Sequence, residues 1–263
     1  MNSAHWRESK MTDFLKFKRQ VEVVHNAANI VINNRNAKVR WPELEEEDKG
    51  VEGKYIAFKS PAVLWDAPLR KTGVNSRARR AIVMDGHFYF DGDIFNRGGA
   101  HLEVYSTHKS SDGRWEMKLI ETMHFDFEYK HPQTAFHPMF HVQFGKSKRL
   151  DETVIATIVC ELARIKPDQL RLDRSIETDT RDVRIPTPQM DYMSVLAMVI
   201  ADYFCDSHCS SEVTTGFITL LRKVMLASNP ARSSSQSKNL EQRWNPDQKG
   251  PFCASHWYAE SHR

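Results

Sequence analysis

Residues 81–95 read "AIVMDGHFYFDGDIF" and decide the fold, because here the hydrophobic spacing changes from a helical to a strand-like period. Alternating runs continue from this stretch to residue 145. Aspartate–glycine pairs, which favour tight turns, stand at residues 85–86, 91–92 and 112–113. Short strands joined by such turns, with no helical pattern between them, predict an antiparallel meander of about four or five strands.

Helical patterns flank the meander on both sides. Residues 12–36, "TDFLKFKRQVEVVHNAANIVINNRN", predict a helix that begins near Thr12 or Asp13 and ends near residue 33. Further helices, the first of them capped by Asp151, are predicted from residues 151–166, 190–204 and 211–225. The whole pattern predicts an α+β fold with a central antiparallel sheet and helices packed on one face of it.

The chain divides into four consecutive segments on this pattern. Residues 41–50, "WPELEEEDKG", are interpreted as an acidic surface loop. The last segment contains a stretch rich in Ser, Asn, Gln and Pro, which is typical of a tail. The predicted segments are an N-terminal helix with a basic loop at 1–80, the sheet at 81–150, a helical part of the same domain at 151–229 and a polar tail at 230–263.

The composition is that of a globular protein: 263 residues, of which 40% are hydrophobic and 27% charged. The formal net charge of +3 permits contact with nucleic acid without arguing for it. The start of the chain is polar, which predicts no signal peptide, and no apolar stretch approaches the roughly 18 residues of a membrane span. We therefore expect a cytoplasmic protein with reduced thiols and no membrane partner.

Strand alternation predicts a face rich in histidine and carboxylate, because side chains at i and i+2 share one face of a strand. The relevant stretches are "HLEVYST" at 101–107, "KLIETMHFDFE" at 118–128 and "HPMFHVQFG" at 137–145. If these strands are neighbours, one face of the sheet collects His101, Glu103, His124, Asp126, Glu128, His137 and His141.

Such a face suits proton transfer, because histidine titrates near neutral pH and a carboxylate orients its ring. The candidate catalytic residues are His124, Asp126, His137, His141 and Glu103. In this hypothesis His141 or His137 is the general base, and His124, oriented by Asp126, is the acid. The same groups suit a zinc or manganese shell. The alternative is a polar sheet face that is solvated or covered by a partner.

Residues 70–80, "RKTGVNSRARR", form a basic loop in this interpretation. Arg77, Arg79 and Arg80 are its candidate nucleic-acid-binding residues, because guanidinium groups pair with phosphate oxygens. No aromatic residue stands among the arginines to stack on bases, so a solubilising loop is the alternative.

The sequence contains two candidate metal sites. Glu116 and Lys118 form an E-x-K pattern, with Asp91 or Asp93 upstream, of the kind that holds Mg²⁺ in metal-dependent nucleases. A zinc site that joins the tail to the helical part would use Cys205, Cys209, Cys253 and His256. The alternative for the cysteines is packing as small hydrophobic residues. A P-loop is excluded at Gly145–Ser147, because Phe140 occupies the position of its first glycine.

Residues 123–145, "MHFDFEYKHPQTAFHPMFHVQFG", resemble bacterial proteins found near mobile elements, including small toxin–antitoxin components with a closing H-P-x-x-H strand. Residues 184–204, "RIPTPQMDYMSVLAMVIADYF", are similar to the same proteins. The resemblance covers about a third of the chain. It implies a role in a toxin–antitoxin or phage-defence system and transfers no catalytic residue.

Two functions from different classes follow. The first is a hydrolase of nucleic acid or nucleotides, such as an RNase-like toxin, with a divalent metal (Zn or Mg) as an open question. The second is a non-enzymatic antitoxin or accessory subunit whose tail binds a protein partner. The tail offers aromatic residues for such binding at Trp244, Phe252, Trp257 and Tyr258.

Overall fold

The computed structural model shows one sheet that carries helices on both faces. It describes residues 3–48, 53–68, 79–91, 94–128, 140–145, 150–175, 184–187, 191–206 and 209–226. The helices are α1 (Ser3–Asn34), α2 (Glu152–Ala163), α3 (Tyr192–Phe204) and α4 (Ser211–Leu226). The strands are β1 (Lys38–Arg40), β2 (Leu44–Asp48), β3 (Lys54–Phe58), β4 (Ala62–Pro68), β5 (Arg79–Asp91), β6 (Ile94–Lys109), β7 (Trp115–Glu128), β8 (Phe140–Phe144), β9 (Leu170–Asp173) and β10 (Ile185–Pro186).

The α+β class with a central antiparallel sheet is confirmed. The main path of the sheet runs β1-β4-β5-β6-β7-β8-β10. Strand β5 also pairs with β3, which carries β2, and β7 also pairs with β9. Among the described strands the β7–β9 pair is parallel and the other pairs are antiparallel. The long strands β5, β6 and β7 therefore form the centre of the predicted meander.

The turn predictions at the aspartate–glycine pairs had mixed outcomes. Strands β5 and β6 pair up to Asp91 and Ile94, so the chain reverses between these two residues, where the second pair stands. The third pair lies in the β6–β7 turn, where Gly113 has a φ of 86° and donates to the carbonyl of Ser110. The prediction at the first pair is wrong, because Gly86 lies inside β5. A Cβ there would stand 3.3 Å from the Cβ of Tyr192, so this glycine lets α3 approach the sheet.

The described part of the first eighty residues contains four complete strands, β1–β4, besides the predicted helix. The interpretation of the acidic run as a loop is wrong for Leu44–Asp48, which is β2 and pairs with β3. Its charged composition is that of a strand at the margin of a sheet, where charges discourage pairing with another chain. Glu46 also makes a 2.8 Å ion pair with Lys54 of β3.

Helices α1, α3 and α4 pack together on one face of the sheet, against residues such as Ile82, Met84 and Leu102. Helix α2 packs on the opposite face, against residues such as Val63 and Tyr105. The sequence "AIVM" at 81–84 explains both layers, because all four of these residues are fully buried. A continuous apolar run is typical of a strand that is covered on both sides.

Helix α2 begins as predicted. The Asp151 carboxylate accepts a hydrogen bond of 2.8 Å from the backbone nitrogen of Thr153. No helix within the described ranges is long and apolar enough to span a membrane.

A β-bulge between β6 and β7 reverses the alternation of side chains partway along β7. Tyr105 pairs with Leu119, whereas the preceding Val104 pairs with Glu121. Leu119 therefore faces α2, although strict alternation would place it on the face of Phe125, which packs against the other helices. The bulge separates the polar residues at the two ends of β7 onto different faces of the sheet.

Candidate functional site

The polar side chains beyond the bulge form a compact group, here called the histidine cluster. They lie on the face of the sheet that α2 covers at its other end. Strand pairing places His101 opposite His124 and Asp126 opposite His141, and His87 lies on the strand next to that of His101. The members of the histidine cluster are His87 on β5, His101 on β6, His124 and Asp126 on β7, and His141 on β8.

His124 lies at the centre of the cluster and uses both ring nitrogens within it. Its Nε2 stands 2.5 Å from Oδ2 of Asp126, so the ring donates a hydrogen bond to the carboxylate. Its Nδ1 stands 2.7 Å from Nδ1 of His101. The two rings are 4.1 Å apart between centroids. Carboxylate and imidazoles therefore form a continuous hydrogen-bonded chain across two strands.

Asp126 is more exposed to solvent than His124 and His141. Its side chain is 32% exposed, against 15% for His124 and 1% for His141. Burial alone would raise the pKa of Asp126, but the hydrogen bond from His124 and the charges of His124, His141 and His87 outweigh burial and lower the pKa below its ordinary value. Nε2 of His141 is 3.7 Å from the same carboxylate oxygen. Asp126 is therefore an ionised carboxylate held among histidines.

Gly99 lies on β6, between His87 on β5 and Asp126 on β7. A Cβ at this position would lie 2.9 Å from the backbone oxygen of Phe125 and 3.0 Å from both Oδ1 of Asp126 and Cε1 of His87. Only a residue without a side chain lets these two groups approach each other across β6. Gly99 and the preceding Gly98 both lie within β6.

We expect Gly99→Ala to lower the free energy of unfolding by about 1–2 kcal/mol, because the new methyl group must push the β7 backbone away. Urea unfolding followed by circular dichroism measures this change. Ser106→Ala on the same strand is the control, since Ser106 is partly exposed and only its hydroxyl is lost. Equal stabilities of the two variants would contradict the close packing at Gly99.

Glu103 lies on the same face as His101 but belongs to a separate ion pair. Its carboxylate is 1% exposed, forms a salt bridge with Arg174, and accepts a 2.5 Å hydrogen bond from the hydroxyl of Tyr105. Burial, and then the charge of Glu103, raise the pKa of Tyr105. Glu103 is thus placed beside the cluster, in contact with the guanidinium of Arg174, which no spacing pattern in the sequence indicates.

The cluster unites three of the predicted catalytic residues, which are His124, Asp126 and His141. His137 lies outside the described residues. His87 was missed, although it follows Asp85 at the i+2 spacing that was used on the other strands. The turn assigned to Asp85-Gly86 hid this signal, because it ended the strand before His87.

The two predicted nucleic-acid-binding arginines that the structure describes, Arg79 and Arg80, are not near the cluster. Arg79 and His87 lie on the same strand, roughly 26 Å apart at about 3.3 Å per residue. Arg79 is engaged by Asp66, with a 3.4 Å distance between Nε and Oδ1. Arg80 points to the opposite face from Arg79. Arg77 lies outside the described residues.

Two of the four predicted zinc ligands can be placed. Cys205 and Cys209 are partly buried and pack against the core beside α3. The backbone nitrogen of Asp206 donates to Sγ of Cys209 at 3.1 Å. Burial, and then the neighbouring Cys209, raise the pKa of Cys205 to about 11, which favours a thiol. Cys253 and His256 lie outside the described residues.

Within the described part of the chain, no group of three or more His, Cys, Asp or Glu residues is arranged to hold a metal ion. Strict alternation would place Glu116 and Lys118 of the E-x-K pattern on the face of His124, because these residues are an even number of positions apart, but the bulge prevents this. Glu116 and Lys118 precede the bulge and lie on the other face, where Glu116 makes a 2.9 Å ion pair with His108. The geometry therefore does not place these two residues with the cluster.

The chemistry that the histidine cluster offers is proton exchange. An ionised carboxylate can accept a proton from a reacting group, and imidazoles that are hydrogen-bonded to it can pass a proton on. Carboxylates whose pKa is shifted by burial and by a specific charged neighbour are frequent at functional sites. Comparisons with protein families, with curated proteins and with solved structures find no match to this chain.

Proposed function

We propose that the chain is a hydrolase whose acid–base centre is the histidine cluster, acting on a phosphoester of nucleic acid or a nucleotide. The observation that supports this proposal most is the position of Asp126. Its carboxylate is partly exposed, contacts His124 directly and lies within 4 Å of His141. An arrangement of one open carboxylate and several imidazoles suits general acid–base catalysis.

The roles in this proposal differ from those expected from the sequence. Both ring nitrogens of His124 are engaged inside the protein, so His124 is a positioning residue that holds the Asp126 carboxylate. Asp126 meets the substrate and takes the proton from the attacking water. His141 lies buried beneath it and adds positive charge.

Two further groups beside the cluster support a binding role. The hydroxyl of Thr122 and the side-chain nitrogen of Gln143 are buried and make no hydrogen bond within the part of the chain that the structure describes. Both are neighbours of His124, Thr122 along β7 and Gln143 across the β7–β8 ladder. Buried polar groups of this kind are rare and often accompany function.

A polyanionic substrate is the part of this proposal that rests on the sequence alone. The arginines of residues 70–80 favour it, because guanidinium groups pair with phosphate oxygens. A role in a toxin–antitoxin or phage-defence system stays a prediction from the resemblance of residues 123–145 and 184–204.

The proposal predicts that Asp126→Asn lowers kcat by about 10²–10⁴-fold, because the variant keeps the shape of the side chain and loses its basicity. The assay follows hydrolysis of single-stranded RNA, single-stranded DNA, ribonucleotides and bis(p-nitrophenyl) phosphate, with and without Mg²⁺ or Zn²⁺. Circular dichroism checks that the variant is folded.

His108→Gln is the matched control for this assay. His108 is also a histidine paired with a carboxylate on the same sheet, but it lies on the other face and is largely exposed. Its replacement should leave kcat unchanged. A wild-type protein with no activity on the panel, or an Asp126→Asn variant with full activity, would overturn the proposal.

A second candidate is a non-enzymatic subunit that binds a protein partner. Large aliphatic side chains are exposed on α1 and α4, and such residues often mark a binding surface. They are Leu15, Val23, Ile30, Ile218 and Leu221. In this alternative the histidine cluster has no catalytic role. Replacing Val23 or Leu221 with glutamate should therefore weaken the complex with the protein partner, whereas Asp126→Asn should leave that complex intact.

A further inference from the structure

The contact between His101 and His124 restricts how many protons the two rings can carry. Their Nδ1 atoms are 2.7 Å apart, which is a hydrogen-bonding distance between two nitrogens of the same kind. Such a contact needs one proton: one nitrogen donates and the other accepts. Two protons would place two N–H groups against each other, and no proton would oppose two lone pairs.

The contact with Asp126 fixes a second proton. The carboxylate of Asp126 accepts, so Nε2 of His124 carries a proton in this geometry. His124 is therefore neutral when its Nδ1 accepts from His101, and cationic when its Nδ1 donates to His101. The two states differ by one proton on Nε2 of His101 and by the position of the Nδ1 proton.

We propose that His101 and His124 form a single proton-binding unit, which takes up one proton at Nε2 of His101 and places the charge beside Asp126. On uptake the Nδ1 proton moves from His101 to His124, and no other bond changes. The chain of Asp126, His124 and His101 then passes from a net charge of about −1 to about 0.

The surroundings of the pair allow this uptake. Both rings are largely removed from water, with His101 4% exposed, so a second positive charge on the pair would be costly. Asp126 offsets the first charge at 2.5 Å. Among the described residues, the other titratable or charged groups around the pair are Asp85 and His87 from β5, Glu103 and Tyr105 from β6, His141 from β8, and Arg174 after β9.

The proton-binding unit assigns His101 a positioning role in the proposed hydrolase, and this part rests on the proposed function. The charge that appears on His124 would strengthen its hold on the Asp126 carboxylate and make that carboxylate a weaker base. The unprotonated unit is then the active form for water activation, so activity should fall as the pair takes up its proton.

The test is nuclear magnetic resonance of the full chain labelled with ¹⁵N-histidine, with ring nitrogens followed against pH. We expect scalar coupling between the two Nδ1 atoms, and a common titration midpoint with uptake of about one proton by the pair rather than about two. His101→Gln and His124→Gln assign the signals. His108, exposed and paired with Glu116 on the other face, serves as the internal control and should show no scalar coupling to another ring nitrogen.

Separate midpoints with one proton taken up by each ring, or the absence of coupling between the Nδ1 atoms, would overturn the proton-binding unit. These signals come from the wild-type protein and need no enzymatic activity, so they decide this inference even if the proposed hydrolysis fails. Where activity is found, His101→Gln should move the acid limb of the pH–rate profile, while a merely structural role would leave that limb in place.

Discussion

Replacing Arg174 with methionine is expected to lower the free energy of unfolding by about 3–5 kcal/mol. The reason is the burial of its partner. The Glu103 carboxylate is 1% exposed and the Arg174 side chain 10% exposed, so the pair lies almost wholly out of water. Methionine keeps much of the side-chain volume but removes the guanidinium that neutralises this carboxylate.

Urea unfolding at neutral pH measures the loss. The control is Arg40→Met, because Arg40 and Glu161 form an ion pair in which both side chains are more than half exposed. That change should cost no more than about 1 kcal/mol. Adding Glu103→Gln to Arg174→Met should recover part of the stability, since no buried charge is then left unbalanced. A loss of less than about 1 kcal/mol for Arg174→Met would show that the pair is hydrated.

His25 is expected to make the protein less stable as the pH falls below 6.5, its pKa in the unfolded chain. Burial lowers its pKa in the folded protein to about 3. Between these values the unfolded chain binds a proton that the folded protein does not, so folding loses about 1.4 kcal/mol per pH unit. The expected loss from His25 between pH 7.5 and 4.5 is about 2–3 kcal/mol.

The measurement compares the free energy of unfolding of wild type and His25→Phe across this pH range. Phenylalanine preserves a ring against Trp41, on which His25 stacks at 4.0 Å, and it cannot titrate. The variant also loses the 3.0 Å hydrogen bond to Tyr192, which gives an offset that does not change with pH. The slope of the free energy of unfolding against pH should be shallower in His25→Phe than in wild type. Parallel curves for wild type and His25→Phe would mean that His25 is protonated in the folded state.

Much of the fold can be predicted from local sequence signals. The helix cap at Asp151 and the turn at Asp112-Gly113 depend on neighbouring residues, and both are confirmed. Hydrophobic spacing also identifies the four helices and the central meander. The acidic strand β2 was hidden because its charged residues suit a loop and an exposed strand equally well.

The candidate site could be predicted only in part, because its geometry depends on contacts between distant segments. Alternation alone groups His124 with Asp126, and the pairing of the strands brings in His101 and His141. The bulge at Val104 has no sequence signal, and it determines which polar residues of β7 share the face of the cluster. Arg174 meets Glu103 across 71 positions of sequence, a separation that no spacing pattern reports.

The order in which the chain leaves the ribosome gives the packing of the helices a further consequence. Helix α1 is made first, then the meander, whereas α3 and α4 are made last. These three helices together cover the apolar face that includes Ile82, Met84 and Leu102. Until α3 and α4 emerge, α1 alone can shield that face, and the nascent meander presents strands with uncovered apolar side chains. Such intermediates are prone to aggregate, so productive folding in the cell should depend on slow translation or on chaperones that bind the incomplete sheet.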